Sequence, residues 1–261
     1  PAGDEVRSRP LQAPGFAWIG LYEPAHEILA RLQAALGLHP LAVEDAGKAH
    51  QRPKVEAYGD TLFLAAHTAQ MDGGRIAYGE THAFLGRRFL LTVRHGASLS
   101  YAPVRARLER EPELLRPGPA MALYGVLDFI VDNYAPIVDA HRDTLHALER
   151  DIFSDTYRRE IVVRLYDLKR ELTNMRVSVS PLQDVLAQLV RSQAAQGQLV
   201  PEDVRLYLRD VHDHVVRIND AIDSLRDMLG TALSVNLSMV TLAQGETVKR
   251  LGAWAALLAA P

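Results

Sequence analysis

The chain has 261 residues, of which 48% are hydrophobic and 23% are charged, as is ordinary for a folded protein. Its formal net charge of -3 (29 Lys+Arg against 32 Asp+Glu) lacks the basic excess of nucleic-acid-binding proteins, so we expect no nucleic-acid partner. It contains no cysteine, which excludes disulfides and thiolate metal sites.

The first 119 residues predict short strands that alternate with helices. Apolar and aromatic runs predict the strands, and apolar residues at helical spacing predict the helices. Strands are predicted over residues 16–22, 61–71, 76–85 and 88–95, and helices over 25–36 and 98–111. This interleaving predicts an α/β/α domain around a mixed sheet over residues 1–119, closed by the Pro-rich break at 116–119.

The rest of the chain predicts long helices. Apolar residues from Ile161 to Leu189 alternate in steps of four and three, which is a heptad seam that Pro181 should kink. Another helix is predicted over 120–153. No proline interrupts residues 202–260, which as one helix would reach roughly 85 Å, the length of a stalk rather than of a core helix.

The predicted fold class is therefore α+β, a mixed-sheet domain followed by long helices that include a very long stalk helix. We expect a long-helix hairpin layer over residues 120–198, with a turn over 193–203, and the stalk helix over 199–250. The apolar run at 251–261 is either a docked amphipathic tail or the first half of a longer apolar helix.

Two small groups of polar side chains are candidates for metal binding. Asp210 and His214 lie four residues apart on one face of the stalk helix, where they can share one cation. The alternative for this pair is a solvated helix surface. Glu44 and Asp45 are adjacent oxygen ligands that suit Mg²⁺, whereas histidine admits Zn²⁺ or Co²⁺. Neither pair closes a site alone, but the two pairs could do so from different subunits.

Enzymatic activity has little support in the sequence. It contains no phosphate-binding loop, no G-x-S-x-G elbow and no H-E-x-x-H motif. Single histidines of the first domain are interpreted as packing or turn residues: His26, His39, His50, His67, His82 and His95. We therefore predict that the protein is not an enzyme and has no catalytic residue.

Five segments in order resemble the family of CorA-type magnesium and cobalt transporters. The first is HPLAVEDAGKAHQRPKVEAYGD at 39–60, followed by the strand residues LFL. The others are LYGVLDFIVDNYAPIVD at 123–139, LKRELTNMRVSVSPLQDVL at 168–186, YLRDVHDHVVRINDAIDSLRDML at 207–229 and ETVKRLGAWAALLAAP at 246–261. The matches run in order over nearly the whole chain, from about residue 16 to the end.

The resemblance implies the cytosolic part of a homopentameric channel in the cell inner (plasma) membrane. Residues 251–261 would then be the start of a truncated first transmembrane helix, and the membrane would be reached through helices beyond it. The implied substrate is Mg²⁺, with Co²⁺ or Ni²⁺ as further passengers. The family's Gly-Met-Asn motif does not occur in this sequence.

The resemblance also implies a regulatory metal site between subunits. Asp45 of one protomer would face Asp210 of its neighbour, with Glu44, Asp143 and His214 in accessory positions. Val248 and Leu251 would form the hydrophobic pore gate, where apolar rings block ions by dewetting. Ser234 occupies a stalk position where some relatives carry an aspartate, which leaves one acidic ring of the family in doubt here.

Three alternatives remain open from the sequence. The chain could belong to the zinc-transporting branch of the same superfamily, for which His212 and His214 would be suitable ligands. It could be a helical scaffold that binds no metal, as the heptads alone would allow. An enzyme such as a hydrolase using Asp210 and His214 is the third alternative.

Overall fold

The computed structural model describes residues 15–153, 159–191 and 199–259. Part of the turn predicted over 193–203 and the two chain ends lie outside the described residues. The strands are β1 (Ala17–Tyr22), β2 (Lys54–Tyr58), β3 (Thr61–Asp72), β4 (Arg75–Gly86) and β5 (Phe89–Gly96). The helices are α1 (His26–Leu36), α2 (Pro40–Gly47), α3 (Ala102–Arg110), α4 (Pro119–Asp132), α5 (Ala135–Ile152), α6 (Arg159–Arg191) and α7 (Glu202–Ala259).

The five strands form one mixed sheet in the order β1-β5-β4-β3-β2. β1 runs parallel to β5, and the other neighbouring pairs are antiparallel. The β3–β4 hairpin turns at Gly73 and Gly74, which both have positive φ, a conformation that glycine adopts without steric cost. The predicted α+β class with a mixed sheet is confirmed.

Helices cover both faces of the sheet, which explains why β3 and β4 are buried along most of their length. On one face, α1 and α2 pack over Phe63, Phe84 and Leu91. On the other face α4 contacts β1, β4 and β5, and α3 packs on α4. A side chain at Gly125 would meet Val104 of α3 at 3.0 Å, so glycine permits this close helix contact. These layers form the predicted α/β/α arrangement.

The region predicted as one helix over 120–153 is instead two helices. The Asn133 side chain donates to the Phe129 carbonyl oxygen at 2.6 Å and so satisfies a carbonyl at the end of α4. Pro136 lies in the first turn of α5, where its missing N–H is tolerated. Tyr134 between them is fully buried, and its hydroxyl donates to the His67 carbonyl oxygen at 2.7 Å.

The chain divides into two compact units. The first contains residues 15–137 and 177–219, and the second contains 138–176 and 220–259. Each unit includes one segment of α6 and one of α7. The predicted domain boundaries after residues 119, 198 and 250 stay a prediction.

The predicted seam positions of the long helices are buried in both units, and α6 continues through Pro181. In the second unit, α5, α6 and α7 bury a common set of apolar side chains: Leu145, Leu148, Leu165, Leu168, Leu172, Ile222, Leu225 and Leu229. Arg164 pairs with Asp151 at 3.2 Å, and Arg176 with Asp223 at 2.8 Å. The apolar periodicity therefore predicted the inward face of these helices.

The last part of α7 presents apolar side chains to solvent. Beyond Ala232, no side chain that the structure describes up to Ala255 is buried. Large exposed side chains here are Leu237, Met239, Leu242, Val248, Leu251 and Trp254. Among the described residues, only Pro119–Ile152 is long and apolar enough to cross a membrane, but 61% of its apolar window is buried within the protein and it comprises two helices.

A buried histidine makes the stability of the second unit depend on pH. Burial lowers the pKa of His141 below its ordinary value of 6.5, and the Glu171 carboxylate, 3.8 Å from Nδ1, only partly opposes this. The unfolded chain therefore binds a proton more readily, so stability falls as the pH drops from 6.5 through the folded-state pKa. We expect His141→Leu to lose less stability than wild type between pH 7 and about 5.

The measurement is the urea midpoint at each pH. His146→Leu is the matched control, because it removes an exposed histidine from the same helix. Equal pH slopes for wild type and His141→Leu would contradict this account of His141.

Candidate metal centre

Glu44 and Asp45 lie on α2, a short helix that the apolar spacing did not reveal. His39 caps its N-terminus, with Nδ1 accepting the Leu41 N–H at 3.3 Å, and Pro40 occupies the first turn. Three small or β-branched residues of α2 face the core: Ala42, Val43 and Ala46. Asp45 stays at the edge of this buried face, with 27% of its side chain exposed.

Buried polar groups of the sheet hold α2 and the segment after it. His95 Nε2 lies 2.8 Å from the Ala46 carbonyl oxygen, and its Nδ1 lies 3.0 Å from a Glu23 oxygen. The Gly96 N–H and then His95 lower the pKa of Glu23 by stabilising its ionised form. Because α2 is tied to β5 through His95, the position of Asp45 is fixed by the sheet.

Glu80 of β4 anchors the chain directly after α2. Its carboxylate accepts the backbone N–H groups of His50 at 2.5 Å and Gln51 at 3.0 Å, and it pairs with His82 at 3.2 Å. His50 has φ of 77°, a conformation that costs a non-glycine residue on the order of 1 kcal/mol or more. The buried carboxylate compensates for that strain.

His67, His82 and His95 are scattered singly along the sequence, but in the structure they lie close to one another. His67, Glu80 and His95 occupy one register position on three neighbouring strands, and His82 is two residues from Glu80 on the same face. Burial lowers the pKa of His67, whose Nε2 lies 3.0 Å from the Gln51 carbonyl oxygen. Their role as packing residues fits, but only the strand register brings them together.

Asp45 is already paired with a cation of the protein. Lys54 Nζ lies 2.8 Å from Asp45 Oδ2 and 2.8 Å from Glu56 Oε2, and the Tyr58 hydroxyl donates to the same Glu56 oxygen at 2.8 Å. The hydrogen bond from Lys54 lowers the pKa of Glu56. Burial alone would lower the pKa of Lys54, but its bonds to Asp45 and Glu56 outweigh this and raise it.

Glu44 has a different environment from that of its neighbour Asp45. Its carboxylate pairs with Lys48 at 2.6 Å, one helical turn away, and both side chains are mostly exposed. Such a surface pair contributes little to stability and exchanges readily with water.

Asp210 and His214 lie together on α7 in the first unit, as their spacing predicted. His214 Nε2 is 3.7 Å from Asp210 Oδ2, and 68% of the Asp210 side chain is exposed. α4 lies beside this part of α7, since the rings of Tyr124 and Tyr207 are 5.2 Å apart. The pair is therefore accessible on the surface of the first unit.

Two carboxylates of α4, Asp128 and Asp132, lie near Asp210 and His214. Neither was predicted from the sequence. Asp132 is exposed as a residue, but partial desolvation of its carboxyl group and then repulsion from Asp128 raise its pKa. Asp210 adds to this, whereas His214 opposes it. Arg107 pairs with Asp128 at 3.3 Å. The four-residue spacing of Asp128 and Asp132 indicates that they share one helix face, and this could have been noticed in the sequence. Their proximity to α7 depends on tertiary packing, which the sequence does not show.

The remaining predicted residues belong to the second unit. Asp143 is exposed on α5, and Val248 and Leu251 are exposed on α7. Within residues 15–153, 159–191 and 199–259, no three His, Asp or Glu side chains are arranged to hold a metal ion. Asp45 and Asp210 have separate partners, Lys54 and His214.

The donor chemistry at Asp45 fits a hard cation. The Asp45 side chain is partly exposed, and its Oδ2 accepts a hydrogen bond from the Lys54 ammonium. The position beside this oxygen therefore favours a positive charge, and carboxylate oxygens are typical ligands of Mg²⁺. Asp210 supplies another exposed carboxylate. Neither carboxylate by itself supplies the several ligands that a closed metal site requires.

The comparisons with known proteins agree with this fold. The profile of the CorA-like Mg²⁺ transporter protein family matches residues 14–261. The chain is 28% identical over 220 residues to the putative metal ion transporter YfjQ of Bacillus subtilis, covering 84% of this chain and 67% of that protein. It is 29% identical over 228 residues to the cobalt/magnesium transport protein CorA of Thermotoga maritima, covering 86% and 64%. The chain thus spans about two thirds of the length of these relatives.

Solved structures share the fold at lower identity. The CorA magnesium transporter of Methanocaldococcus jannaschii superposes with a TM-score of 0.74 at 21% identity, covering 90% of this chain and 73% of that chain. The ZntB cytoplasmic domain of Vibrio parahaemolyticus gives 0.67 at 14% identity, covering 83% and 84%. Because the family profile matches nearly all of the sequence, this chain belongs to the CorA-like Mg²⁺ transporter family.

Proposed function

We propose that this chain is the cytoplasmic, metal-sensing part of a divalent-cation channel in the plasma membrane, with Mg²⁺ as its main substrate. The T. maritima relative is named a cobalt/magnesium transport protein, which supports Mg²⁺ and Co²⁺ as transported ions. Ni²⁺ is a further candidate passenger. The observation that carries the sensing role is the partly exposed Asp45 carboxylate, which is paired with the Lys54 ammonium and held in position by the sheet through His95.

The regulatory site lies between subunits of a homopentamer in this proposal. Asp45 of one protomer and Asp210 of the next supply the principal oxygens, and Glu44, Asp143 and His214 are accessory groups. Both principal carboxylates are accessible within their own protomer, which such a site requires.

A cation at this interface would act by relieving repulsion between acidic surfaces. Asp132 already carries the electrostatic cost of Asp128 and Asp210 within one protomer, and a neighbouring Asp45 would add to it. Bound Mg²⁺ stabilises the closed ring, and its loss lets the carboxylates separate the subunits and open the pore. Few, water-retaining ligands give weak binding, roughly millimolar, which suits a sensor of cellular Mg²⁺.

The conducting path would begin at the far end of α7. Val248 and Leu251 present apolar side chains there, and five copies would form hydrophobic rings that gate by dewetting. Residues 251–261 would start the first transmembrane helix in the full-length protein. Exposed leucine, valine and tryptophan side chains on this part of the helix need such a partner or membrane environment.

Oxygen ligands favour Mg²⁺ over Zn²⁺ at this site. Asp45, Asp210 and Glu44 are carboxylates, and His214 is the one imidazole among the proposed principal and accessory groups. A zinc transporter of the same superfamily remains the second candidate, because His212 and His214 lie near Asp213 and Asp210. Fold does not separate the two, since ZntB shares it.

We expect Mg²⁺ to raise the melting temperature of the assembled chain in the millimolar range. Binding to the folded ring alone contributes about 1.4 kcal/mol at a concentration ten times the dissociation constant. Asp45→Asn combined with Asp210→Asn should abolish the rise, because both principal oxygens lose their charge. The measurement is differential scanning fluorimetry at constant ionic strength.

The matched control is Asp167→Asn combined with Asp151→Asn, which removes the charges of one exposed and one half-buried carboxylate from the second unit. No midpoint shift for wild type at about 20 mM Mg²⁺ would instead support a metal-independent scaffold. A larger response to micromolar Zn²⁺ than to millimolar Mg²⁺ would favour the zinc transporter.

Asp132→Asn should stabilise the metal-free chain at pH 7. The pKa of Asp132 is raised, so its ionised form is unfavourable in the folded protein and stability rises as pH falls through that pKa. The neutral amide removes this cost, and its advantage should shrink as the pH approaches 4, near the ordinary value of 3.8.

Urea midpoints at pH 7 and at about pH 4 measure this effect. Asp139→Asn is the control, because Asp139 is exposed and paired with Arg142. If Asp132→Asn destabilises the chain at pH 7, the cost of ionising Asp132 through desolvation and repulsion from Asp128 is not the dominant effect at this position.

A further inference from the structure

The Lys54 ammonium is hydrogen-bonded to the carboxylate of Asp45, on which the proposed metal site depends. We propose that Lys54 is a tethered competitor cation: it holds Asp45 when Mg²⁺ is scarce and must withdraw before Mg²⁺ can bind. In this way Lys54 sets the Mg²⁺ concentration at which the site fills. The inference rests on the proposed function, because it concerns the affinity of that same site.

The geometry gives Lys54 two acceptors of similar quality. Its Nζ is 2.8 Å from Asp45 Oδ2 and 2.8 Å from Glu56 Oε2, within the range of charge-assisted hydrogen bonds. Glu56 is two residues away on β2 and is oriented by the Tyr58 hydroxyl. When Lys54 leaves Asp45, Glu56 therefore still pairs with its charge, and no unpaired ammonium is created.

Lys54 is restrained rather than free on the surface. Only 30% of its side chain is exposed, and Nζ lies 5.7 Å from the centre of the Phe63 ring. A partly buried ammonium is screened by solvent less than an exposed one, so its effect on a nearby cation is larger. It also remains beside Asp45 because β2 carries it there.

Mg²⁺ and the Lys54 ammonium cannot share Asp45 at low cost. Mg²⁺ binds carboxylate oxygens at about 2.0–2.1 Å, which would place it within a few ångströms of Nζ. Two positive charges at that separation repel each other, so the ion must displace the ammonium or bind more weakly. Either outcome moves the filling of the site to higher Mg²⁺ concentration.

Lys48 provides an internal comparison on the same helix. Its ammonium pairs with Glu44 at 2.6 Å, but this pair is exposed to water. The backbone N–H of Lys48 donates to the Asp45 carbonyl oxygen at 3.2 Å, whereas no described bond joins the Lys48 ammonium to the Asp45 carboxylate. Its bond to Glu44 raises the pKa of Lys48, as does the more distant Asp45. Lys48 thus carries the same charge as Lys54 and lies nearby, but its ammonium is not bonded to the Asp45 carboxylate.

The test is a Mg²⁺ titration of the chain at constant ionic strength, followed by its melting temperature. Lys54→Met keeps the aliphatic chain against Phe63 but removes the competing charge. We expect its half-saturating Mg²⁺ concentration to be roughly five- to tenfold lower than that of wild type. Lys48→Met and Lys54→Arg should stay within about twofold of wild type, since neither frees Asp45 of a cation.

A second measurement follows Lys54 in the wild-type protein, so the test does not depend on how well the variants fold. The ¹⁵N NMR signal of the Lys54 ammonium, assigned by its loss in Lys54→Met, should shift as Mg²⁺ is added. The Lys48 signal should shift less. Unfolding midpoints without metal establish that each variant is folded.

The outcomes separate this inference from the proposed function. If wild type responds to Mg²⁺ but Lys54→Met has the same half-saturation, or the Lys54 signal does not move, the inference is wrong and the metal site stands. If Lys48→Met shifts the half-saturating Mg²⁺ concentration as much as Lys54→Met does, the shift comes from the loss of any nearby positive charge. The inference about Lys54 is then also wrong. If no protein responds, wild type included, both proposals fail.

Discussion

The attachment of α2 to the sheet is the constraint on which the candidate site depends. His95 reaches the Ala46 carbonyl oxygen at the end of α2, and Glu80 accepts two backbone N–H groups from the segment that follows. Both side chains are buried, where an unpaired polar group would be costly, so these bonds are strongly favoured. A helix of eight residues would otherwise be too short to hold Asp45 in a defined position.

Charge balance then distinguishes the two halves of the site. Asp45 shares one lysine with Glu56, so that lysine balances only one of the two carboxylate charges without metal. Asp210 and Asp132 lie in a region where several carboxylates face one histidine and one arginine, which leaves excess negative charge. A divalent cation between these two surfaces would be attracted by the carboxylates near Asp210 and would compete with Lys54 for Asp45. In the proposed site, that combination would favour a response to millimolar rather than micromolar Mg²⁺.

Apolar periodicity was sufficient to predict most of the fold. Four of the five strands and the inward faces of α6 and α7 follow from it, because large buried surfaces impose their period on the sequence. β2 and α2 were not predicted, since β2 buries only Val55 and α2 is short and rich in small residues. The break between α4 and α5 lies at Asn133 and just before Pro136, and an apolar pattern does not record either residue.

The site was less predictable than the fold. The spacing of Asp210 and His214 placed them on one helical face, as found. In contrast, the bond from Lys54 to Asp45 joins a helix to a strand nine residues away, and the row of His67, Glu80 and His95 exists only through strand register. Such contacts depend on tertiary packing, so residue types alone did not indicate them.

Crystals of the chain grown with Mn²⁺ in place of Mg²⁺ would test the central claim most directly, because the anomalous signal locates the metal. We expect a peak that contacts Asp45 of one subunit and Asp210 of its neighbour, with Lys54 Nζ withdrawn from Asp45 towards Glu56. Metal bound only elsewhere, or Lys54 still hydrogen-bonded to Asp45 at saturating Mn²⁺, would contradict it.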